Sequence, residues 1–379
     1  MKVLVLGYGV PGPSDCRYGQ FILNQAIAIK NFAHENLVVY GAIDLRSVRH
    51  KRKLGVHNVD TFSIPVIEAS LPLGRVPNCL KKFVSCILFR VVLKKFIKRF
   101  GTPDIVHAHF ASTAFSAARL KEKFHYKLVV TEHSSGINQN PMDQNLYKIC
   151  PYVYKQADAL IAVSPSLSNR IKECFGYKAL FIPNMINEEL FCFEGAEKHQ
   201  GIRFISVGFL SEHKRMGYLI ESFIQAFSSK DNVFLDIYGD GPEWKTLSKK
   251  VEKNMRSHQI VLHGEVSNEK ISEALKQSDC FVLASKGETF GVVYAEAIMC
   301  GIPVIATCCG GPESIVNQNN GLLIANEENS SLKEALDFIS KNLSKYDKKQ
   351  ISDSAIALYS YEAVSKSINN VYCSVMEEK

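Results

Sequence analysis

Two carboxylates in Glu288-Thr-Phe-Gly-Val-Val-Tyr-Ala-Glu296 are the residues best placed to do chemistry. The run before them, Cys280-Phe-Val-Leu-Ala284, reads as a buried parallel strand, and Pro303-Val-Ile-Ala306 after them as the next one. The order is therefore strand, loop with Glu288, helix with Glu296, strand. In such a unit a ligand sits at the carboxyl end of the strands, over the helix N-terminus. The amides of Phe290, Gly291 and Val292 would face it, where the helix dipole favours an anion such as a diphosphate. Ionised carboxylates accept strong hydrogen bonds from hydroxyls. Glu288 beside the diphosphate and Glu296 about two turns along the helix suit the hexose and the ribose of a nucleotide-sugar.

This segment resembles the E-x7-E motif of the retaining glycosyltransferase family 4, whose fold is GT-B. Further landmarks follow in family order over nearly the whole chain: Pro103-Asp-Ile-Val-His-Ala-His109, Val130-Thr-Glu-His133, Ala157-Asp-Ala-Leu-Ile-Ala-Val-Ser164, Ile182-Pro-Asn184, Val207-Gly-Phe-Leu210 with Lys214, Tyr238-Gly-Asp-Gly-Pro242 and Gly310-Gly-Pro-Glu313. The resemblance implies that Lys214 binds the donor phosphates. It also implies that His133, at the end of its strand, hydrogen-bonds the donor sugar and helps stabilise an oxocarbenium ion. The family usually carries an arginine directly after the glycine of the Val207 segment, where this chain has Phe209. Arg215, next to Lys214, could compensate, but adjacent helical residues point in different directions. Base recognition is expected near Gly264, Glu265 and Val266.

Gly7-Tyr-Gly9-Val-Pro-Gly12 matches a dinucleotide-binding fingerprint, but Pro11-Gly12-Pro13 opposes a helix opening within the glycines. It reads instead as a loop followed by a helix from near Arg17, with Gly19 allowing close approach to donor phosphate. His107 and His109 share one strand face as a metal pair would. No third ligand is evident and there is no Asp-x-Asp, so both read as strand-end or structural residues in a metal-independent enzyme. No cofactor is expected beyond a nucleotide-sugar co-substrate.

Lys81–Phe100 holds seven basic residues and no acid. On a helical wheel Phe89, Val92, Leu93, Phe96, Ile97 and Phe100 fall on one half; Arg90, Lys94, Lys95, Lys98 and Arg99 fall on the other. Such a helix suits an anionic membrane surface, and Arg46–Lys53 adds five more bases. No nucleic-acid motif accompanies the charge. Residues 1–183 hold 25 Lys and Arg against 11 Asp and Glu, a net +14, whereas the remainder stands at −7. The first half is thus expected to face something anionic.

A chain of 379 residues exceeds one ordinary core. Alternating strands and helices predict an α/β protein of two doubly wound, Rossmann-like domains. The boundaries expected are 1–185, an acceptor-binding domain, and 186–360, a nucleotide-sugar-binding domain, with a final helix at about 361–379 returning to the first by the GT-B resemblance. No run approaches the roughly 20 apolar residues of a membrane span, and the amino terminus is a poor signal peptide. Eleven cysteines without a Cys-x-x-Cys pair read as reduced. The expectation is a cytoplasmic enzyme, peripheral on the inner face of the plasma membrane. It would move a hexose from a UDP- or GDP-sugar to a glycan or glycolipid in capsule, exopolysaccharide or lipopolysaccharide synthesis. A sugar-nucleotide 2-epimerase and a non-catalytic scaffold are the alternatives.

Overall fold

The computed structural model describes residues 1–12, 15, 18–46, 54–74, 76–139, 141–195, 199–326 and 331–377. Arg17 and the bases Arg49, Lys51, Arg52 and Lys53 lie outside them. The chain divides into two compact units, 1–183 with 361–379, and 184–360.

The first unit contains β1 (Lys2–Gly7), α1 (Gln20–Phe32), β2 (Leu37–Asp44), β3 (Gly55–Val59), β4 (Val66–Ser70), α2 (Asn78–Phe100), β5 (Ile105–His109), α3 (Ala111–Phe124) and β6 (Lys127–Glu132). It continues with α4 (Ser135–Asn138), α5 (Gln144–Gln156), β7 (Ala159–Ala162), α6 (Pro165–Phe175) and β8 (Leu180–Phe181). Its strands run β3-β4-β2-β1-β5-β6-β7-β8, parallel except for β3. Val3 to Leu6 are wholly buried, as a strand covered by helices on both faces requires.

The second unit contains β9 (Ile202–Val207), α7 (Met216–Ala226), β10 (Val233–Tyr238), α8 (Trp244–Lys253), β11 (Ile260–Gly264), α9 (Asn268–Lys276) and β12 (Cys280–Leu283). After these come α10 (Val292–Met299), β13 (Val304–Thr307), β14 (Gly321–Ile324), α11 (Ser331–Asn342) and α12 (Lys348–Tyr359). Its sheet, β11-β10-β9-β12-β13-β14, is parallel throughout. The chain then enters α13 (Tyr361–Glu377), which packs on α1 of the first unit. The fold is two Rossmann-like α/β domains, as the alternation of strands and helices predicted.

One device recurs at the amino-terminal edges. The Asp104 carboxylate, just before β5, accepts from the Lys2 amide at 2.7 Å. Asp158 does the same for Leu128 at 2.6 Å and Asp279 for Arg203 at 2.9 Å. Each acid satisfies an amide in the first two residues of the neighbouring strand. Two of these acids belong to quoted landmarks and do structural work, far from the ligand edge.

Both sheets reverse winding direction at their first strand, between β1 and β5 and between β9 and β12. In open parallel sheets a ligand crevice forms at such a switch, beyond the carboxyl ends of the strands.

Candidate functional site

In the second unit the loops after β9 and β12 meet at the switch point. The first makes a short 3-10 turn, Glu212–Lys214. The second carries Glu288 between Ser285 and the start of α10. Lys214 pairs with the Glu288 carboxylate, and Ser285 Oγ donates to that same oxygen at 2.7 Å. The backbone of Glu288 is bridged to the next loop, receiving from Gly311 N–H at 2.9 Å and donating to the Cys309 carbonyl at 3.2 Å. His213 Nε2 lies 2.6 Å from the Gly287 carbonyl, closing the other side. Glu288 is thus fixed by partners from three segments.

The amides of Phe290, Gly291 and Val292 donate to no acceptor among the described residues. Gly291 stands at φ 91° as N-cap of α10, a left-handed conformation that favours glycine. A Cβ there would lie 2.4 Å from the Tyr294 ring. The Phe290 ring is buried against Tyr359, so only its backbone is available to a ligand. Further along α10, the Glu296 carboxylate has no hydrogen-bond partner among the described residues. Desolvation pushes its carboxyl up to about 7.

The structure gives Arg215 other work. Arg215 does not stand in for the arginine replaced by Phe209. It adopts φ 49° and turns its buried guanidinium to the Ala284 and Ser285 carbonyls and the Asn326 side chain, at 2.6, 3.3 and 2.6 Å. It therefore ties the loop after β9 to the loop after β12 and leaves Lys214 as the cation beside Glu288. Phe209 itself is 62% exposed at the end of β9. Of the segment expected near the base, Gly264 closes β11, at φ 78°, and its carbonyl accepts from Gly239 N–H at 2.8 Å. Glu265 is exposed and Val266 half-buried beside it.

In the first unit the ligand edge is built from imidazoles. His107 and His109 lie side by side on β5, both 0% exposed, with ring centroids 4.5 Å apart. His109 Nδ1 is 3.0 Å from Nε2 of His133, which follows β6. His107 sits between the hydroxyls of Tyr372 on α13 and Thr131, each at 2.7 Å. Burial lowers both strand histidines, His107 to about 3 and His109 well below the ordinary value, so both are neutral. Among the described residues no group of His, Cys, Asp and Glu could hold a metal ion.

Glu132, wholly buried, was not singled out by sequence. Its carboxylate accepts from the amides of Ala111, His133 and Ser134 and from the Tyr154 hydroxyl, all within 3.1 Å. It holds the backbone on which His133 stands. The signal was its place beside His133 at a strand end, where an acid has amides to satisfy. Gly19 caps α1 at φ 76°. A Cβ there would come 2.3 Å from the Gly9 carbonyl oxygen, so loop packing alone demands glycine.

The helix expected to carry lipid contacts forms as α2, but its wheel is used differently. Phe89, Val92, Leu93 and Phe96 are fully buried, packed with β2, β4 and α3, and so cannot enter a membrane. Arg90, Lys94, Lys98 and Arg99 are exposed, and Lys95 is half-buried. No helix among the described residues is long and apolar enough to cross a membrane.

Comparison with known proteins agrees with this geometry. Residues 188–354 match the family described as Glycosyl transferases group 1, and residues 49–190 match Glycosyltransferase Family 4. A putative teichuronic acid biosynthesis glycosyltransferase of Bacillus subtilis is 30% identical over 72% of this chain and 69% of its own. An uncharacterized glycosyltransferase of Methanocaldococcus jannaschii is 30% identical over 70% and 73%. Among solved structures, sucrose-phosphate synthase from Thermosynechococcus elongatus aligns over 100% of both chains with a TM-score of 0.80 at 19% identity. The Anabaena HepE protein in complex with UDP aligns over 99% of this chain and 100% of its own with 0.75 at 18%. The chain belongs to the group 1 glycosyltransferases of family 4 and has their GT-B fold.

Proposed function

We propose that this glycosyltransferase moves a hexose from a UDP- or GDP-sugar to a membrane-associated glycan or glycolipid, with retention of anomeric configuration, in bacterial surface-polysaccharide synthesis. The observation that carries the donor reading is the joint placement of Lys214, Glu288 and three undirected amides at the second unit's switch point. A diphosphate there would draw on Lys214 as a point charge and on the amides of Phe290, Gly291 and Val292. Glu296 would take the ribose hydroxyls, and Glu288 the hexose. The relatives named for teichuronic acid biosynthesis and for lipopolysaccharide outer core galactosyl transfer support the setting, and the HepE structures solved with UDP and UDP-glucose support the donor class.

The chemistry asked of these residues is stabilisation of a departing diphosphate. As the bond from anomeric carbon to diphosphate oxygen breaks, negative charge grows on that oxygen, and preorganised donors lower the barrier most. Glu288 is held by Lys214 and Ser285, a poor arrangement for a covalent nucleophile. A same-face route fits better: the acceptor oxygen bonds to the anomeric carbon and its proton passes to the leaving diphosphate oxygen. His133 would face the oxocarbenium ion, held by Glu132 and His109. Lys214 and the amides supply charge neutralisation with no cofactor.

Thermal stabilisation against UDP-, GDP-, ADP- and dTDP-sugars tests the reading. A ligand at about 100 times its dissociation constant stabilises by roughly 2.7 kcal/mol. The expected result is a shift with one nucleotide class that disappears in Glu296→Ala. No shift with any of the four would remove the donor site.

A further inference from the structure

The helix α2 is apolar on two opposite sides. One side, Phe89, Val92, Leu93 and Phe96, is consumed by the core of the first unit. The other is exposed: Leu80 42%, Phe83 64%, Ile87 47% and Val91 41%. At 100° per residue these four and the exposed Arg90, Lys94 and Lys98 fall within about 100° of arc. The line is apolar over its first half, about 16 Å, and basic over its second. The helix contains no acid, and Arg90, Lys94 and Lys98 have no ion-pair partner among the described residues. Scattered exposed leucines need no explanation, but a continuous stripe on one helix does.

We propose that this outer face of α2 seats the protein on an anionic lipid surface, with Leu80, Phe83, Ile87 and Val91 in the headgroup–acyl boundary and Arg90, Lys94 and Lys98 on lipid phosphates. The pattern is that of an interfacial helix, apolar side chains immersed and bases on the polar boundary. A second copy of this chain fits poorly, because a two-fold contact through one basic line brings like charges together. Nucleic acid would leave the apolar half in water. The inward face of the same turns, Asn78, Lys81, Lys82 and Ser85, lines an open cavity of about 1090 Å³ together with Tyr8, Tyr18 and residues of α3 and α5. A docked α2 would hold this cavity within one helix diameter, about 10 Å, of the headgroups. The inference deepens the proposed function by naming the surface that would bring a membrane-associated acceptor to the first unit.

The test is flotation of the full chain with vesicles of phosphatidylcholine containing phosphatidylglycerol, and with phosphatidylcholine alone, at low and high salt. The wild type is expected to float with the anionic vesicles only and to be released by salt. F83S/I87S/V91S is expected to lose about tenfold or more of the bound fraction, and R90Q/K94Q/K98Q to lose the salt-dependent part. All these positions are exposed, and unchanged nucleotide-sugar thermal shifts in both variants would show the fold intact. Wild-type protein that ignores anionic vesicles, or F83S/I87S/V91S that binds like the wild type, overturns the proposal. So does a wild-type dimer in light scattering that F83S/I87S/V91S dissolves. Vesicle binding without any nucleotide-sugar shift would sustain the surface and remove the donor reading instead.

Discussion

The ligand edges of the two sheets use opposite electrostatics. In the first unit His107 and His109 are dry and neutral, the rings of Phe21 and Phe110 pack on His133, and Tyr8 and Tyr18 stand behind them. In the second, the corresponding edge carries a lysine–carboxylate pair, uncommitted amides and a carboxyl held near neutrality. The same switch-point topology places both sets, so the difference lies in the side chains and loop amides each edge carries. An edge meant for an anion must keep charge and donors available. Under the proposed function the first edge would meet sugar hydroxyls, which neutral, fixed rings can hydrogen-bond without adding charge.

Removing the cation should separate the two edges most. Lys214→Ala is expected to lower kcat by about 10²–10³-fold, the scale of losing one preorganised donor to developing charge, with a stability loss of roughly 1–3 kcal/mol because the mostly buried Glu288 carboxylate keeps only Ser285. A loss confined to KM would mean Lys214 only binds. Next in size is Glu132→Ala in the first unit. It strands three amides and a hydroxyl around a buried site, so a destabilisation of about 3 kcal/mol in urea unfolding is expected. A change below about 1 kcal/mol would mean water replaces the carboxylate.

The pH responses should differ in sign. His107 has a folded value, about 3, depressed below 6.5, so the unfolded chain binds the proton first and stability falls as pH drops below 6.5. That amounts to roughly 2 kcal/mol by pH 5. Glu296 is raised to about 7 from 4.5, so stability falls instead as pH rises from about 4.5 to 7, and stays reduced above. Glu296→Gln should therefore stabilise the protein by about 1–2 kcal/mol at pH 8, discounted for partial exposure, and not at pH 4.5. It should weaken donor binding at the same time. Chemical denaturation at the two pH values checks this, and equal effects at both would contradict it.

What the sequence revealed follows a physical division. The motif from Cys280 to Ala306 was legible because strand, loop and helix are consecutive, so spacing alone places Glu288 at a helix N-terminus. The final helix was expected at about 361–379, and its place on the first unit came from family likeness rather than from its residues. Partners across the fold were not legible. Ser285 is near Glu288 in the chain, but Lys214 is 74 residues away, and His109 and His133 are 24 apart. Strand β4, beside the edge strand β3, was missed because it carries the buried Glu68, paired with His57 at 3.2 Å, in the middle of its apolar run. A wheel separated the two sides of α2 correctly, yet could not say that the core already claims the phenylalanine side.

The smallest expected effect is at the position where this chain departs from its family. Phe209 follows Gly208 at the end of β9, on the strand that leads to Lys214. Its side chain is exposed, so replacing it disturbs no core. Arg215 is unavailable, being tied to carbonyls of the loop after β12. If the edge works by available charge, Phe209→Arg adds a second cation beside Lys214 and should tighten nucleotide-sugar binding by about fivefold. The gain should shrink with salt, since an exposed contact is screened over about 8–10 Å. Because the added bond forms with ground state and transition state alike, KM should fall with kcat nearly unchanged. Calorimetric titration of nucleoside diphosphate at two salt concentrations decides it. A salt-independent loss of affinity would mean that the phenyl ring itself packs on the donor and that this edge replaced a charge with an apolar contact.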